Sequence, residues 1–309
     1  MTTPDPVRRP AITVVGSMNM DLVAYVDRVP GPGETVIGQR FESGFGGKGA
    51  NQAAMAALLG AAVAMVGALG DDAYGRATLA NFADLGIDTT GIARVRGSSG
   101  VAPIWVEADG TNRIVVVPGA NGLVTPEHAA GAVGAWRRVD VCVGQLEIPQ
   151  HATVAAFEAA RALGTTTILN PAPAAAIELR LLAATDWLIP NEVEFGALTG
   201  GAAPTDEAVA EFAARTGARV LVTLGDRGAA LVGADGEVRR LAAPPVEAID
   251  TSGAGDAFVG AFAVGLAIGL PEVDAVRLGI ACASDSVRRP GTQASFPDAR
   301  RCEELLAAL

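Results

Sequence analysis

Residues 250–266 read DTSGAGDAFVGAFAVGL, so three small residues and a carboxylate directly precede an apolar run long enough for a buried helix. Free backbone N–H groups at a helix N-terminus point outward and favour anions, and Gly253, Ala254 and Gly255 lack the bulk to keep a ligand away. Asp256, in the first turn, could act as a base or could cap the helix, because Asp is common at helix starts. The stretch therefore predicts either a capped buried helix or an anion-binding site.

Further apolar runs, each typical of a buried strand, alternate with helix-like segments along the rest of the chain; they cover residues 11–16, 62–66, 139–143, 167–169, 187–190 and 220–224. This alternation predicts an α/β fold, a three-layer sandwich whose mostly parallel central sheet carries helices on both faces.

Two β-hairpins are predicted outside this sheet. The first pairs residues 22–26 with 34–38 around a Pro-Gly-Pro-Gly turn, and the second pairs residues 101–107 with 113–117. Hairpins of this size are too small to hold a core of their own. We expect one domain, residues 1–309, with a small discontinuous β-sheet lid formed by about 21–45 and 98–118.

The composition excludes several classes of protein. The 309 residues are 50% hydrophobic, enough for a large core, and 23 Lys plus Arg against 34 Asp plus Glu give a net charge of −11. That charge disfavours a general nucleic-acid-binding surface. Cys142, Cys282 and Cys302 lie far apart with no C-x-x-C spacing, which indicates reduced thiols in a cytoplasmic protein. Two histidines are too few for a histidine metal cluster.

Neither the N-terminus nor the longest uncharged run indicates a membrane protein. Residues 1–10 are polar and Pro-rich, so we expect no secretory signal. Residues 53–70 are uncharged, but Gly60 divides them, so the pattern favours the end of a helix followed by a buried strand over a membrane span.

Polar residues cluster where several predicted strands end. Asn19 and Asp21 follow the first strand, and polar segments at 145–147, 170–173, 191–194 and 223–228 follow later ones. Ligands of open α/β sheets bind beyond the carboxyl ends of the strands, so these positions predict a ligand crevice. A second Gly-rich turn, residues 44–52, also feeds a helix. It is not a Walker A loop, because Glu42 stands where the first glycine is required.

Residues 46–53, GGKGANQA, and residues 250–263 together resemble the two signatures of the ribokinase family of sugar and nucleoside kinases, and the resemblance runs from about Ile12 to Pro297. It implies an ATP-dependent kinase that phosphorylates the 5-hydroxyl of D-ribose to give ribose 5-phosphate. Residues 30–36, PGPGETV, and 145–147, QLE, favour ribose as the acceptor. Two alternatives remain: a family member acting on 2-deoxyribose, fructose or adenosine, and a non-catalytic sugar- or nucleotide-binding regulator.

The resemblance also implies roles for individual residues. Asp256 would be the general base, and Gly253, Ala254 and Gly255 would form the anion hole. The sugar-contacting positions would be Asn19, Asp21, Gly46, Gly47, Lys48, Asn51, Glu147 and Asp256. The ATP-binding positions would be Asn191, Thr223, Leu224, Gly225, Asp226, Gly228 and Gly255.

Two ions and a dimer are implied in the same way. Asn191 and Glu194 would place Mg²⁺, through water, as suits an ion that dehydrates reluctantly. An activating monovalent cation, K⁺, would be bound by Asp250, Ser252, Ser286, Arg289, Gly291 and Ser295. The lid would pair with that of a second copy to form a homodimer. Ile280, Cys282 and Pro290 depart from residues common in the family near the adenine and the cation loop.

Overall fold

The computed structural model describes residues 9–136 and 138–309, so residues 1–8 of the polar N-terminal stretch lie outside it. The described strands are β1 (Ala11–Val15), β2 (Asn19–Tyr25), β3 (Arg40–Gly46), β4 (Ala62–Gly70), β5 (Ile92–Val95), β6 (Gly100–Val106), β7 (Asn112–Ile114), β8 (Val141–Gly144), β9 (Thr166–Leu169), β10 (Trp187–Leu188), β11 (Arg219–Thr223), β12 (Ala229–Val232) and β13 (Val238–Leu241). The helices are α1 (Lys48–Leu58), α2 (Ala73–Asp84), α3 (Pro126–Gly134), α4 (Gln150–Ala162), α5 (Leu179–Ala183), α6 (Glu192–Thr199), α7 (Asp206–Thr216), α8 (Ala254–Ala267), α9 (Glu272–Ser286) and α10 (Ala299–Ala307).

Nine strands form the large sheet, in the order β13-β12-β11-β10-β9-β8-β1-β4-β5. The strands from β5 to β11 in this order are parallel to their neighbours, and β12 is antiparallel to both β11 and β13. The predicted mostly parallel sheet is confirmed. The chain order reverses on either side of β1, so the crevice beyond β1 is where a ligand of such a sheet is expected.

Both faces of the sheet are covered because successive side chains of each buried strand point to opposite sides. Ile12 and Val14 belong to the hydrophobic cluster formed with α1, α2, α8, α9 and α10. Val15, the last residue of β1, points to the other side and belongs to the cluster formed with α3 to α7. The uninterrupted apolar runs of the sequence are thus strands buried on both faces, and the predicted three layers are confirmed.

The uncharged run 53–70 is divided at Gly60 into the end of a helix and a strand, as predicted. Helix α1 ends at Leu58, Gly60 has φ +85°, and β4 begins at Ala62. Within the described residues, no helix has the length and apolar character needed to cross a membrane.

The small sheet has the order β3-β2-β6-β7, and its first hairpin differs from the prediction. The strand predicted at 34–38 is wrong: β2 pairs instead with residues 40–46 over seven positions, from Asn19 opposite Gly46 to Tyr25 opposite Arg40. The carboxylate of Glu34 accepts hydrogen bonds from the Gly31 backbone and the Arg28 guanidinium, which holds this segment in a turn. The second hairpin lies as predicted, with an added bridge between Val101 and Val117.

Candidate active site

A cavity of about 200 Å³ lies beyond the carboxyl ends of the parallel strands. Its lining includes Asn170 and Asn191, which follow β9 and β10, Thr223 at the end of β11, Lys48 at the start of α1, and Gly255 and Asp256 at the start of α8. Three of the polar segments predicted to form a crevice, at 170–173, 191–194 and 223–228, therefore contribute to one cavity, whereas Asn19, Asp21 and residues 145–147 are not part of its lining.

The start of α8 is open to this cavity. Gly253 is the N-cap residue with φ +74°, and no side chain caps the helix. A Cβ on Gly253 would lie 2.7 Å from Thr292 Cγ2, whereas a Cβ on Gly255 would meet no heavy atom within 4 Å. No side chain pairs with the first backbone N–H groups of the helix, which favours binding an anion there, although the Ala254 N–H makes a long hydrogen bond of 3.3 Å to the Thr251 carbonyl.

Asp256 does not form the cap that its position in the first turn allows. Asp256 is 6% exposed, and its carboxylate turns towards α1, where Oδ2 accepts from Asn51 Nδ2 and Oδ1 from Gln52 Nε2, both at 2.9 Å. Burial raises the pKa of Asp256, while the Lys48 ammonium and these two hydrogen bonds oppose the rise. The result is a buried carboxylate of increased basicity at the edge of the cavity.

Lys48, at the start of α1, carries positive charge into a group of carboxylates. Burial on its own lowers its pKa, but Asp256, Glu147 and Glu194 together raise it above the ordinary value. Glu147 also accepts from the Lys48 backbone N–H at 3.0 Å and from the Ser17 hydroxyl. Lys48 is therefore charged throughout the physiological range and is held in place by the residue that follows β8.

Asn19 and Asp21 lie on β2, directly against the Gly-rich turn. A Cβ on Gly46 would lie 2.3 Å from Asp21 Oδ1, and one on Gly47 would lie 2.7 Å from the Asn19 backbone nitrogen. Both positions require glycine because a side chain would collide with these neighbouring atoms. Gly47 also has a φ of +87°, in the left-handed region that favours glycine. Asp21 accepts from Thr292 Oγ1 at 3.1 Å, and burial raises its pKa to about 6.

Asn191 and Glu194 bond each other across the start of α6. The Glu194 backbone donates to Asn191 Oδ1 at 2.8 Å, and the Glu194 carboxylate accepts from the Asn191 backbone at 2.8 Å and from its amide at 3.0 Å. This capping box stabilises the helix start whatever else the pair does. Burial raises the pKa of Glu194.

The segment after β11 is a short turn beside Asn191. Thr223 forms an isolated parallel β-bridge with Asn191. The turn over residues 225–227 ends at Gly228, where a Cβ would lie 1.9 Å from the Leu241 carbonyl oxygen. Leu224 is 1% exposed, its backbone N–H donates to the Gly228 carbonyl and its carbonyl accepts from Arg227, so this residue belongs to the core and its contact with ATP stays a prediction.

The six residues attributed to a cation site are joined in two hydrogen-bonded groups. The Asp250 carboxylate accepts from the backbones of Ser252 and Gly291, at 2.9 and 2.8 Å. Arg289 donates from Nε to the Ser295 carbonyl at 3.0 Å and from its backbone to the Ser286 carbonyl at 3.2 Å. The loop before α8 is thus tied to the loop after α9.

Comparison with known proteins identifies the family. Residues 9–299 match the pfkB family of carbohydrate kinases. The chain belongs to this family. It is a carbohydrate kinase, and the predicted family resemblance is confirmed.

Relatives of this pfkB kinase match it over nearly their whole length. The ribokinase of Bacillus subtilis is 40% identical over 297 residues, covering 96% of this chain and 99% of the relative. The deoxyribokinase of Salmonella typhimurium is 37% identical over 303 residues, covering 96% and 98%. Among solved structures, ribokinase from Thermotoga maritima aligns with a TM-score of 0.87 at 37% identity, covering 96% of this chain and 99% of that chain. Arabidopsis thaliana ribokinase complexed with ribose and ATP aligns with a TM-score of 0.89 at 32% identity, covering 97% and 99%.

Several residues of the pfkB kinase site were not assigned a role from the sequence. Asn121 donates to Asn19 Oδ1 at 2.8 Å, Thr292 bonds Asp21, and Gln52 bonds Asp256. Gln52 lies inside the GGKGANQA motif, and Thr292 lies inside the predicted cation loop, so both are in segments that were singled out. Only the folded chain shows which way their side chains point.

Proposed function

We propose that this carbohydrate kinase transfers the γ-phosphate of ATP to the 5-hydroxyl of D-ribose and produces ribose 5-phosphate. The observation that carries the proposal is the pairing, at one cavity, of a buried carboxylate, Asp256, with the uncapped N-terminus of α8. A proton acceptor and an anion-binding group are the two functions that phosphoryl transfer to an alcohol requires. The ribokinase relatives support ribose and ATP as the substrates.

Asp256 would accept the proton of the 5-hydroxyl as this oxygen attacks the γ-phosphorus. The backbone N–H groups of Gly253, Ala254 and Gly255 would stabilise the charge on the transferred group, as an oxyanion hole does in acyl transfer. Lys48, whose pKa is raised by the surrounding carboxylates, would add positive charge close by. Positioning and electrostatic stabilisation would thus account for catalysis without a covalent intermediate.

The sugar would lie between β2 and the start of α1. Asn19, Asp21, Asn51 and Glu147 would supply amide and carboxylate groups for its hydroxyls. Gly46, Gly47 and Lys48 of the Gly-rich turn lie directly against Asp21, Asn19 and Glu147. A site built to bond hydroxyl groups rejects a substrate that leaves those groups unpaired, so this lining favours ribose over a deoxy sugar.

ATP would approach from the other side of the cavity, along the ends of β10 and β11. We assign its contacts to Asn191, Thr223, Leu224, Gly225, Asp226, Gly228 and Gly255. Mg²⁺, which neutralises phosphate charge, would be held by Asn191 and Glu194 through water. Both Glu194 carboxylate oxygens already accept from Asn191, and no cluster of three or more metal-binding His, Cys, Asp or Glu occurs among residues 9–136 and 138–309, so water-mediated contact fits these residues better than direct ligation.

K⁺ would bind between the two loops that Asp250 joins, with Asp250, Ser252, Ser286, Arg289, Gly291 and Ser295 as ligands, several of them through backbone carbonyls. The Ser286 and Ser295 carbonyls each accept one hydrogen bond from Arg289 and retain a second lone pair. Oxygen ligands of this kind suit a hard cation. Because the same loop precedes Gly253, a cation here would steady the anion hole.

A second candidate acceptor is 2-deoxyribose, because deoxyribokinase relatives, at 37% identity over 96% of this chain, match it as closely as several of the ribokinases do. A coupled ADP-release assay with ribose, 2-deoxyribose, fructose and adenosine distinguishes the acceptors. We expect ribose to give the highest kcat/KM. A much higher value for another acceptor would overturn the ribose assignment, and no turnover with any of them would favour the non-catalytic regulator.

Ribose affinity is expected to rise as the pH increases from 5 to 7. Burial raises the pKa of Asp21 from 3.8 to about 6, and only its ionised form accepts hydrogen bonds from sugar hydroxyls with both oxygens. Asp21→Asn should weaken ribose binding and flatten this pH dependence. Calorimetric titration of both proteins across the pH range measures it. Affinity of the unmodified protein that is constant from pH 5 to 7 would contradict this role of Asp21.

The two β segments, about 21–45 and 98–118, would act as a lid that keeps water from the transferred phosphate. They leave large apolar side chains exposed, among them Phe41 at 65% and Ile114 at 54%. Exposed strand edges favour pairing with a second copy, so we infer a homodimer formed through this sheet. A cytoplasmic location without a nucleic-acid partner is also inferred, with support from the net charge of −11 and the three free, buried cysteines.

The double substitution Phe41→Ser, Ile114→Ser is expected to convert the dimer into a monomer, because both apolar side chains would be lost from the interface. Sedimentation velocity measures this as a lower sedimentation coefficient. Leu179→Ser is the matched control, since Leu179 is equally apolar and 84% exposed but lies on α5. A dimer that persists in the double variant, or a monomeric unmodified protein, would contradict the inference.

A further inference from the structure

Two consecutive residues of α1 hold the Asp256 carboxylate, one on each oxygen. Asn51 donates to Oδ2 and Gln52 to Oδ1. Gln52 also donates to Asn170 Oδ1 at 3.2 Å, so its amide nitrogen is used by two acceptors. No role was predicted for the Gln52 side chain from the GGKGANQA motif that contains it.

The side-chain oxygen of each of these amides accepts a hydrogen bond from another amide. Gln145 Nε2 donates to Gln52 Oε1 at 2.6 Å, and Gln293 Nε2 donates to Asn51 Oδ1 at 3.1 Å. Asn81 extends the second arm by donating to Gln293 Oε1 at 3.0 Å. Along both arms every amide donates towards Asp256.

This common direction follows from the chemistry of the end group. An ionised carboxylate only accepts hydrogen bonds, so the NH₂ groups of Asn51 and Gln52 must face Asp256, and their oxygens must face away. Those oxygens then require donors, which Gln145 and Gln293 supply. Hydrogen bonds aligned in one direction polarise and strengthen one another in a site of low dielectric.

The arm through Gln52 is packed too tightly to rotate. Gln52 and Gln145 are both 0% exposed. A Cβ on Gly16 would lie 2.0 Å from Gln145 Oε1, so Gly16 leaves the space that this amide occupies. The buried pair has no water-exposed alternative. Gln145 Oε1 has no hydrogen-bond partner among the described residues, so the packing around β1 and β8 and the bond to Gln52 hold this end of the arm.

We propose that Gln52, supported by Gln145, is a positioning residue that fixes the orientation of the Asp256 carboxylate and holds it in the ionised form that accepts the substrate proton. The proposal rests on the proposed function, since it requires Asp256 to be the general base. Gln52 acts through Asp256 and has no assigned contact with sugar or nucleotide.

The charges around Asp256 determine the expected pH effect. Lys48 on α1 faces it, as do Glu147 after β8, Asp21 on β2 and Glu194 on α6. Burial raises the pKa of Asp256, and the hydrogen bond from Gln52 is one of the contacts that lower it. Loss of this donor should raise the pKa further and move the acid limb of the kcat profile to higher pH.

Gln52→Met tests the proposal, because methionine keeps the length of the side chain and removes its donors and acceptor. We expect kcat at pH 7 to fall by about 10- to 100-fold, as for a small displacement of a reacting group, with little change in the sugar KM. The acid limb should shift to higher pH. Gln145→Met should shift it less in the same direction, because Gln52 keeps its donor.

Gln150→Met is the matched control, since that amide bonds the backbones of Ala176 and Glu178 away from the site. Thermal unfolding and ATP binding verify that each variant is folded. A folded Gln52→Met protein with the unmodified kcat and acid limb, or with only a raised KM, would overturn the positioning role. If Gln52→Met does not fold, an unshifted acid limb in Gln145→Met would overturn it.

Asp256→Asn separates this inference from the proposed function. Unchanged turnover in Asp256→Asn would overturn the general base and the positioning role together. An inactive Asp256→Asn beside an unshifted Gln52→Met would overturn the positioning role alone.

Discussion

Asp256→Asn is expected to lower kcat by about 10²–10⁴-fold, the usual contribution of a positioned general base. Asparagine has the shape of aspartate but cannot accept the proton of the sugar hydroxyl. It also turns one NH₂ group towards Asn51 or Gln52, each of which donates to the carboxylate in the unmodified protein. The substitution therefore removes the acceptor and disturbs the contacts that orient it.

Steady-state kinetics with saturating ribose and ATP, together with binding of each ligand, measures the effect. Ribose and ATP should still bind, because the other assigned contacts remain. Asp298→Asn is the control: Asp298 caps α10 with its side chain, and Asn caps helices equally well, so activity and stability should be unchanged. Turnover of Asp256→Asn at the unmodified rate would remove Asp256 from the mechanism.

Gly255→Ala is expected to lower kcat/KM for ATP by about 10²-fold or more while leaving the fold intact. Gly255 lines the cavity, and a Cβ there meets no heavy atom within 4 Å, so the methyl group would occupy space that the transferred phosphate needs. Loss of one anion-hole contact typically costs about 10²–10³ in rate. The helix itself should gain up to about 1 kcal/mol, because alanine replaces glycine in α8.

Thermal unfolding and kinetics on the same preparation separate these two effects. Gly131→Ala is the matched control, since Gly131 lies within α3 and a Cβ there also meets no heavy atom within 4 Å. The control should keep full activity. Full activity in Gly255→Ala would show that the transferred phosphate does not bind at the start of α8. Lower thermal stability of this variant would show that its loss of activity has a structural cause.

The sequence was sufficient for six strands of the large sheet because these are buried on both faces, whereas β5, β12 and β13 at its two ends were not predicted and β5 and β13 are only partly buried. Runs such as residues 11–16 have no polar alternation, which in a soluble chain indicates a parallel sheet covered by helices. The segment 34–38 misled because Thr35, Val36 and Ile37 favour strand locally. The actual partner of β2 is residues 40–46, where Gly46 approaches Asp21 and Gly47 approaches Asn19, contacts that local propensity does not contain.

The candidate site was predictable where it consists of helix starts and strand ends. The open start of α8 and the polar residues beyond the parallel strands follow from local sequence and from the rule for α/β sheets. The environment of Asp256 was not predictable, because its partners Asn51 and Gln52 are 205 and 204 residues away. Whether Asp256 capped its helix or faced the cavity depended on those contacts.

A crystal structure of the protein with D-ribose and a non-hydrolysable ATP analogue tests the central claim most directly. We predict that the 5-hydroxyl oxygen of the sugar lies within about 2.6–3.2 Å of an Asp256 carboxylate oxygen. The terminal phosphate should contact the backbone N–H groups of Gly253 to Gly255. A different hydroxyl at Asp256, or a terminal phosphate bound away from the start of α8, would contradict the account.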